Sequence, residues 1–296
     1  MRGVSVRQIP AGKPGEGTKV VRLHYLADPT MTSERIAALK GQYTSEARWN
    51  REMEIDYFAA GGQRVFQGFD ESIHVVPHRL PLDSAYNTVW LACDPHPRTA
   101  HAFLWLAVNK EGELAVVWSW WPQERHEREG MVVKDYVKGL RAVENAKLFP
   151  ASYIELMDVA GRSFNAEEEK SYFDKYRDEG VYFIPAKKNR DLMGYDLVND
   201  ALKPRPYTVG DKTEQRPLLT IWAGCGDNDV LVHQMKSLRF REFRGMVVDK
   251  DPPEEPQQKE RHLIDCLSYI LLDGPRFIDR RPAVSDFKPT YSSIGY

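Results

Sequence analysis

Residues 88–121 have the sequence TVWLACDPHPRTAHAFLWLAVNKEGELAVVWSWW, in which three apolar runs are separated by turns. The first run, Thr88 to Asp94, is almost entirely apolar, which is typical of a strand buried on both faces. The other two runs flank the turn KEGE at 110–113, and a Gly-containing turn of four residues between β-rich runs predicts a hairpin. We therefore expect a meander of three strands at the start of an α/β unit.

Beyond this meander, helical and strand patterns alternate. Apolar residues at helical spacing predict a helix from Glu129 to Lys147. Further strands are expected at SYIELMD (152–158), VYFIP (181–185) and LLTIWAG (218–224). Further helices are expected around Phe173 and Tyr176 with a capping box of Asn165 and Glu168, then over 191–202, 227–238 and 257–272. This order predicts an α/β fold with a mixed sheet, five strands in its core and helices on its faces.

Changes in composition divide the chain into four segments. Residues 1–18 are rich in Gly and Pro and are expected to be a flexible lead. Residues 19–82 contain a predicted strand from Val20 to Leu26, a short helix capped by Thr32 or Ser33 and ending at Gly41, and a second helix capped by Ser45. Residues 83–278 form the predicted α/β domain, and residues 279–296 are expected to be a disordered tail.

The overall composition is close to that of soluble globular proteins, with 42% hydrophobic and 28% charged residues. No apolar run approaches the roughly 18 residues of a membrane span, and no secretion signal is evident. Cys93, Cys225 and Cys266 form no CxxC pair, which argues against a disulfide framework and a cysteine zinc site. The net charge of −2 gives no global basic field, although a local basic groove needs none. We expect a soluble intracellular protein that does not bind membranes.

Three carboxylates stand where an α/β fold collects its functional residues. Asp94 and Asp158 each end an apolar strand, and the loop side of the sheet is where such sites form. Asp265 lies on the last predicted helix, three residues after His262, so these two side chains share a helix face. The opposite face, with Ile264, Leu267, Ile270 and Leu271, is apolar. Any one of these acids alone is more often a turn or cap residue, and it is their joint placement that favours a site.

Carboxylates from separate elements suit hard divalent cations such as Mg²⁺ or Mn²⁺. Two such ions about 3.5–4 Å apart can hydrolyse a phosphodiester, one forming hydroxide and the other stabilising the leaving oxygen. Asp94, Asp158 and Asp265 are therefore the candidate metal ligands, with two ions expected.

An ordered set of motifs resembles the nuclease domain of the large terminases of tailed bacteriophages. The set consists of LACDPH, LMDVAGRS and RHLIDCLSYIL, which contain the three acids in turn. The upstream segment LADPTMTSERIAALKGQYTSEARWNREMEIDYFAAGGQRVF is similar to the stretch that joins the motor of a terminase to its nuclease. LLTIWAGCGDND is similar to a late strand and helix of the family. The resemblance covers roughly residues 20–275.

This resemblance implies a ribonuclease H-like fold in which the strands of Asp94 and Asp158 are adjacent and Asp265 closes a metal site. It implies a metal-dependent endonuclease that cuts concatemeric viral double-stranded DNA during genome packaging. Asp94, Asp158, Asp265 and His262 would be the catalytic residues, with His262 as a ligand or a contact of the scissile phosphate. Cys266 stands where some relatives have a further acid.

The resemblance also implies partners and a place of action. Double-stranded DNA, the portal, the small terminase subunit and a packaging ATPase domain or chain are the expected partners, in the cytoplasm of the host cell. No ATPase activity is expected of this chain. GKPGEGTK, at 12–19, has Thr-Lys after its last Gly where a phosphate-binding loop has Lys followed by Ser or Thr, and no apolar strand precedes it.

Two basic clusters are candidates for DNA contact. Lys187, Lys188 and Arg190 lie between a predicted strand and a predicted helix and could follow phosphates beside the metal site. Arg239, Arg241 and Arg244 form a second cluster, although such runs are often only a solvated surface. Tryptophans 90, 105, 120 and 121 lie on predicted strands, where core packing is favoured over base stacking.

Two other functions are compatible with the same residues. A resolvase- or transposase-type ribonuclease H-like nuclease could present three acids, but the joining segment and the HxxD helix favour a terminase. A non-catalytic docking module for the portal or the small terminase subunit would be expected to have lost part of the acidic set, and all three acids are present.

Overall fold

The structure is a computed structural model that describes residues 4–10, 17–43, 49, 53–54, 64–79, 82–83, 87–146, 154–162, 170–187, 193–209, 212–240, 256 and 261–279. Its strands are β1 (Val4–Pro10), β2 (Gly17–Leu23), β3 (Val75–Val76), β4 (Asn87–Asp94), β5 (Ala102–Asn109), β6 (Leu114–Trp120), β7 (Ile154–Met157), β8 (Ile184–Pro185), β9 (Pro204–Val209), β10 (Lys212–Pro217) and β11 (Leu219–Trp222). Its helices are α1 (Ser33–Gln42), α2 (Glu71–His74), α3 (Gln123–Glu129), α4 (Val133–Asn145), α5 (Tyr172–Asp178), α6 (Met193–Leu202), α7 (Asn228–Ser237) and α8 (His262–Asp273).

Seven strands form one mixed sheet in the order β3-β11-β6-β5-β4-β7-β8. β4 and β6 each pair with β5 in antiparallel orientation, and the other neighbouring strands are parallel. The edge strands β3 and β8 have only two residues each, so that the five longer strands form the core of the sheet. The predicted mixed sheet with a five-stranded core and flanking helices is confirmed.

The meander predicted from residues 88–121 is present as β4, β5 and β6. Its hairpin turns at Gly112, which has a φ of 80°, a backbone conformation that favours glycine. The turn is closed by the Gly112 N–H, which donates to the Asn109 carbonyl at 3.0 Å. The Asn109 side chain also accepts from the Glu113 N–H at 2.7 Å.

Alternate residues of the central strands enter two separate cores because successive side chains of a strand point to opposite faces. Trp90, Leu104 and Val116 pack with α6, α7 and α8 on one face. Leu91 and Trp105 pack with α4 and α5 on the other. Both faces are covered by helices, which explains why β4 and β5 are apolar at nearly every position.

The helix predicted from Glu129 to Lys147 is present as α4, which covers Val133–Asn145 and so begins four residues later. α3 ends at Glu129, and Gly130 follows in the left-handed conformation, with a φ of 63°. α4 then begins at Val133, where the Asp135 carboxylate accepts from the Val132 N–H at 3.1 Å and caps the new helix. Gly130 therefore ends α3, and Val132 is the N-cap residue at which α4 begins.

α5 contains the predicted Phe173 and Tyr176, and Tyr176 is fully buried. The proposed cap residues Asn165 and Glu168 lie outside the described residues. In the structure α5 is capped by Ser171, whose hydroxyl accepts from the Asp174 N–H at 3.2 Å. The strand predicted over 181–185 is shorter, because β8 pairs with β7 only at Ile184 and Pro185.

The antiparallel hairpin β9–β10 was not predicted. Its strands contain Pro204, Pro206 and Pro217, and proline within a run argues against a strand unless that strand lies at an edge. α8 begins at His262, five residues later than predicted, and its C-cap Gly274 has a φ of 77°.

The N-terminal part forms a separate antiparallel pair of β1 and β2. β1 falls within the segment for which composition predicts a flexible lead. Gly17, Thr18 and Lys19 belong to β2, whereas a phosphate-binding loop leads into a helix. α1 is capped by Thr32, as expected, and ends at Gln42. The second helix expected in this region falls mostly outside the described residues.

Among the described helices, none combines the length and the apolar character needed to cross a membrane.

Candidate active site

β4 and β7 are adjacent and parallel, with Cys93 opposite Met157. Asp94 is the last residue of β4, and Asp158 is the first residue after β7. The ladder continues one step further, since the Asp158 N–H donates to the Cys93 carbonyl at 3.1 Å. The carboxyl ends of the two strands therefore place both acids at one edge of the sheet, and the expectation that these strands are adjacent is confirmed.

Asp158 is held by the turn that follows it. The chain enters a 3-10 turn over Val159–Arg162, and the Ala160 N–H donates to Asp158 Oδ1 at 3.1 Å. The turn packs closely because Gly161 has no side chain: a Cβ there would lie 2.9 Å from the Met157 sulfur and 3.1 Å from Pro95. One carboxylate oxygen of Asp158 is thus fixed by its own backbone.

α8 brings a histidine to Asp94. His262 Nδ1 donates to Asp94 Oδ2 at 2.7 Å. Because a carboxylate oxygen accepts this bond, the neutral His262 ring has its proton on Nδ1 and its lone pair on Nε2. The rings of His96 and Trp121 flank His262, each with a centroid separation of 5.5 Å.

His96 follows Asp94 by two residues and has a fixed orientation. Its Nδ1 accepts from the backbone N–H groups of Arg98 and Thr99, both at 3.2 Å. Burial, followed by the nearby His262, lowers the pKa of His96. The neutral ring therefore presents Nε2–H as a donor next to His262.

Tyr269, one turn after Asp265 on α8, lies between the two strand-end acids. Its hydroxyl donates to Asp158 Oδ2 at 2.9 Å, and Asp94 Oδ1 is 3.5 Å from the same oxygen. Asp94, Asp158 and Tyr269 are all buried. Burial first, and then Asp94, Asp265 and Asp158, raise the pKa of the Tyr269 phenol far above its ordinary value.

Asp265 is held by an arginine and a second tyrosine. Arg261 Nε lies 3.2 Å from Asp265 Oδ2, and the Tyr195 hydroxyl donates to Oδ1. Burial raises the pKa of the Asp265 carboxyl to about 6; Arg261 opposes this shift and the negative charge of Asp94 adds to it. Asp265 lies three residues after His262 and four before Tyr269, so it shares the α8 face that contacts Asp94 and Asp158.

The close contact between α6 and α8 places Tyr195 at Asp265. Gly194 packs against α8, and a Cβ at this position would lie 2.8 Å from the Ser268 Cβ. The residue next to Asp265, Cys266, points into the core, where its thiol donates to the Ala102 carbonyl at 3.4 Å.

The chemistry of these donors fits a divalent cation, because the two carboxylates at the sheet edge offer oxygen ligands. The fit is best at Asp94 and Asp158, whose carboxylates both lie within 3.5 Å of the Tyr269 hydroxyl. Asp265 is the third candidate, although Arg261 and Tyr195 now engage both of its oxygens. Within the described ranges, no three His, Cys, Asp or Glu side chains surround a single point closely enough to hold one ion.

Of the four residues predicted as catalytic, Asp94, Asp158 and His262 are joined by contacts in the structure, whereas Asp265 lies on the same face of α8 with Arg261 and Tyr195 as its partners. Of the predicted DNA contacts, Lys187 is exposed and lies 3.1 Å from Asp273, while Lys188 and Arg190 lie outside the described residues. Arg239 of the second basic cluster is exposed, and Arg241 and Arg244 also lie outside. Trp90 and Trp105 are buried in the core, as expected, whereas the half-buried Trp121 packs beside His262.

Sequence reasoning missed the residues that hold the acids, namely Tyr269, Tyr195 and Arg261. A signal existed for two of them. Arg261 and Tyr269 both lie four residues from Asp265 on the same chain segment, which is the spacing of neighbours on a helix face. Tyr195 lies 70 residues before Asp265, and no local pattern connects the two.

No family model and no curated protein sequence matches the chain. Among solved structures, the large terminase of a thermophilic bacteriophage matches with a TM-score of 0.55 and 16% identity over 84% of this chain and 54% of that one. The same terminase in complex with ADP gives a TM-score of 0.56 with 16% identity, over 84% and 53% of the two chains. The nuclease domain of the P22 large terminase gives 0.50 with 11% identity, over 72% of this chain and 93% of that one.

The chain therefore has the ribonuclease H-like fold of large-terminase nuclease domains, and the resemblance seen in the sequence is confirmed at the level of the fold. It spans about half the length of the thermophilic phage's terminase chains.

Proposed function

We propose that the chain is a divalent-metal-dependent endonuclease that cuts concatemeric viral double-stranded DNA during genome packaging. One observation carries the proposal: Asp94 and Asp158 meet at one sheet edge of a fold shared with large-terminase nuclease domains, and α8 presents His262 and Asp265 on the face that contacts this edge. Carboxylates from separate elements that converge in this way are typical of phosphodiester hydrolysis assisted by Mg²⁺ or Mn²⁺.

Asp94 and Asp158 would hold the metal, with Asp265 as the third ligand. When bound, two such cations would supply a hydroxide nucleophile and offset the charge on the leaving oxygen. Tyr269 and the Ala160 N–H fix the plane of the Asp158 carboxylate. These contacts would keep the acids ready for a cation at little further cost in conformational entropy.

His262 would take part in proton transfer next to the acids. Its Nδ1–H donates to Asp94, so the lone pair on Nε2 could accept a proton from water, or the ring could contact the scissile phosphate. His96 would donate from Nε2–H to a phosphate oxygen, since its Nδ1 accepts two backbone N–H groups. In this arrangement His262 would accept a proton, and His96 would donate a hydrogen bond.

Cleavage of a closed circular plasmid by the purified chain tests the proposal. Nicked and then linear DNA should form in Mn²⁺ or Mg²⁺, with little sequence preference, and a chelator in excess should abolish the products. Undiminished cleavage in excess chelator would exclude the metal mechanism. No cleavage in any divalent metal would favour the non-catalytic docking module instead.

A path for the DNA would pass over Lys187. The β7–β8 pairing places Pro185 opposite Met157, so Lys187 follows on the Asp158 side of the site. Asp273, one turn after Tyr269, forms an ion pair with this lysine, with Lys187 Nζ 3.1 Å from Asp273 Oδ1. We include Lys188 and Arg190 in the same path from their position in the sequence.

If these residues contact phosphates, replacing Lys187, Lys188 and Arg190 by Ala should weaken DNA binding to a similar extent on all sequences. The log–log salt dependence should flatten by about 0.9 per lost phosphate contact on duplex DNA. Binding should be measured in Ca²⁺, which the resemblance implies supports binding without cleavage. An unchanged salt slope would remove this patch from the path and direct attention to Arg239, Arg241 and Arg244.

Packaging would also require an ATPase in another domain or chain, together with a portal and a small terminase subunit, in the cytoplasm of the host cell. This part of the proposal rests on the fold shared with large terminases, of which the chain spans about half the length. A phosphate-release assay tests this part of the proposal. ATP hydrolysis by this chain that is lost on Lys19→Ala would contradict the need for an ATPase in another domain or chain.

A further inference from the structure

We propose that Tyr269 is a positioning residue whose hydroxyl fixes the Asp158 carboxylate next to Asp94, in the arrangement that binds the metal. The inference rests on the proposed function and deepens it, because it assigns part of the metal affinity to a side chain that is not itself a ligand. It comes from one contact: a single buried hydroxyl lies 2.9 Å from Asp158 Oδ2 and 3.5 Å from Asp94 Oδ1.

The geometry of Asp158 explains why the hydroxyl matters. Its Oδ1 accepts from the Ala160 N–H at 3.1 Å, and its Oδ2 accepts from Tyr269. With a donor on each oxygen, rotation of the carboxylate is restricted. Each carboxylate oxygen has two lone pairs, so a bonded oxygen could still face a cation with its second pair. Without the hydroxyl, Oδ2 would lose this donor and the carboxylate would be held less firmly.

The charge of the site gives the hydroxyl a second effect. Asp94 and Asp158 are both buried, with 7% and 5% of their surface exposed, and carboxylates repel one another more strongly away from water. A donor placed between them offsets this repulsion in the metal-free protein. The hydroxyl is buried with the two acids and donates to Asp158 Oδ2 at 2.9 Å.

α8 supplies this donor as part of one face. His262, Asp265 and Tyr269 recur at intervals of three and four residues, so they lie along one side of the helix. His262 contacts Asp94 and Tyr269 contacts Asp158, and α8 therefore spans both strand ends. The neighbouring Ile270 and Leu271 are buried in the core and pack α8 against the sheet.

The test compares Tyr269→Phe with wild type and with Tyr176→Phe. Tyr176 is a matched control because it is equally a buried tyrosine with a bonded hydroxyl, which lies 2.7 Å from His101 Nδ1 in the other core. Each variant loses one buried hydroxyl, so a merely structural role predicts similar losses in melting temperature for both. The measurement that separates the roles is Mn²⁺ affinity, obtained by calorimetric titration without DNA.

We expect Tyr269→Phe to raise the Mn²⁺ dissociation constant about tenfold, the lower end of the effect of removing groups that orient metal ligands. The Mn²⁺ concentration for half-maximal cleavage should rise by the same factor, and the rate should recover at saturating Mn²⁺. DNA affinity in Ca²⁺ should not change. Tyr176→Phe should bind Mn²⁺ as wild type does.

Wild-type Mn²⁺ affinity in Tyr269→Phe would overturn the inference while leaving the proposed function intact. Failure of the wild-type chain to bind Mn²⁺ or to cut DNA would instead reject the proposed function itself. Should Tyr269→Phe not fold, Tyr269→Gln provides a second variant with a shorter donor. It should bind Mn²⁺ less tightly than wild type, and equal affinity would again overturn the inference.

Discussion

Replacing Asp94 by Asn should lower the rate of plasmid cleavage at least about a thousandfold, which corresponds to about 4 kcal/mol in the activation barrier. The amide has nearly the shape of the carboxylate, so packing at the end of β4 is kept. It loses the negative charge that a divalent cation requires. It also presents an NH₂ group where His262 or the cation would meet an oxygen.

The same substitution should leave the fold intact. Asp94 opposes Asp265 electrostatically, since its charge contributes to the raised pKa of that carboxyl. Removing the charge therefore relieves repulsion and offsets part of the loss of the bond to His262. We expect the melting temperature in chelator to change little, so that the loss of cleavage cannot be ascribed to unfolding.

Asp178→Asn is the matched control for this experiment. Asp178 lies on α5, is exposed and pairs with Lys170 at 2.7 Å, a kind of surface ion pair that contributes about 0–1 kcal/mol to stability. It should cut DNA at the wild-type rate. Cleavage by Asp94→Asn at a rate near that of this control would show that Asp94 is not a ligand and that the acids have been assigned incorrectly.

The positions of the strand-end acids could be predicted from the sequence because they depend on one simple rule. Adjacent parallel strands end at the same edge of a sheet, and Asp94 and Asp158 each end an apolar run. His262 and Asp265 follow from helical spacing within one segment. These patterns are local, and the pairing of β4 with β7 was the single non-local step, for which the resemblance to terminases supplied the expectation.

The residues that hold the acids depend on contacts that no local pattern encodes. Tyr195 reaches Asp265 only because Gly194 lets α6 approach α8 closely. Tyr269 had a visible spacing, but a tyrosine in an apolar helix is usually interpreted as a core residue. Its polar role follows from where α8 crosses the sheet, and that crossing is set by the packing of three helices on one face.

The errors in helix and strand prediction have equally specific causes. Gly130 was included at the start of a helix whose apolar spacing begins only at Val133, and its left-handed backbone ends α3 instead. The hairpin β9–β10 was missed because its three prolines argue against strands. At Gly130 the left-handed backbone ends a helix, whereas in β9–β10 strand pairing forms in spite of the prolines, and both outcomes are visible only in the structure.

The second substitution with a large expected effect, Asp158→Asn, concerns Mn²⁺ binding. Wild-type protein should bind Mn²⁺ between Asp94 and Asp158, since cation binding removes the repulsion among buried carboxylates and satisfies their remaining lone pairs. Asp158→Asn should lose this binding, because it removes one of the two closest charges.

The most direct test of metal binding at the strand-end acids is an anomalous-scattering map from a crystal of the wild-type chain soaked in Mn²⁺. We expect at least one peak in direct contact with carboxylate oxygens of both Asp94 and Asp158, with Asp265 as a further ligand, and no such peak in Asp158→Asn. A wild-type crystal without a peak at these two acids, at an Mn²⁺ concentration that supports cleavage in solution, would contradict the proposed metal site.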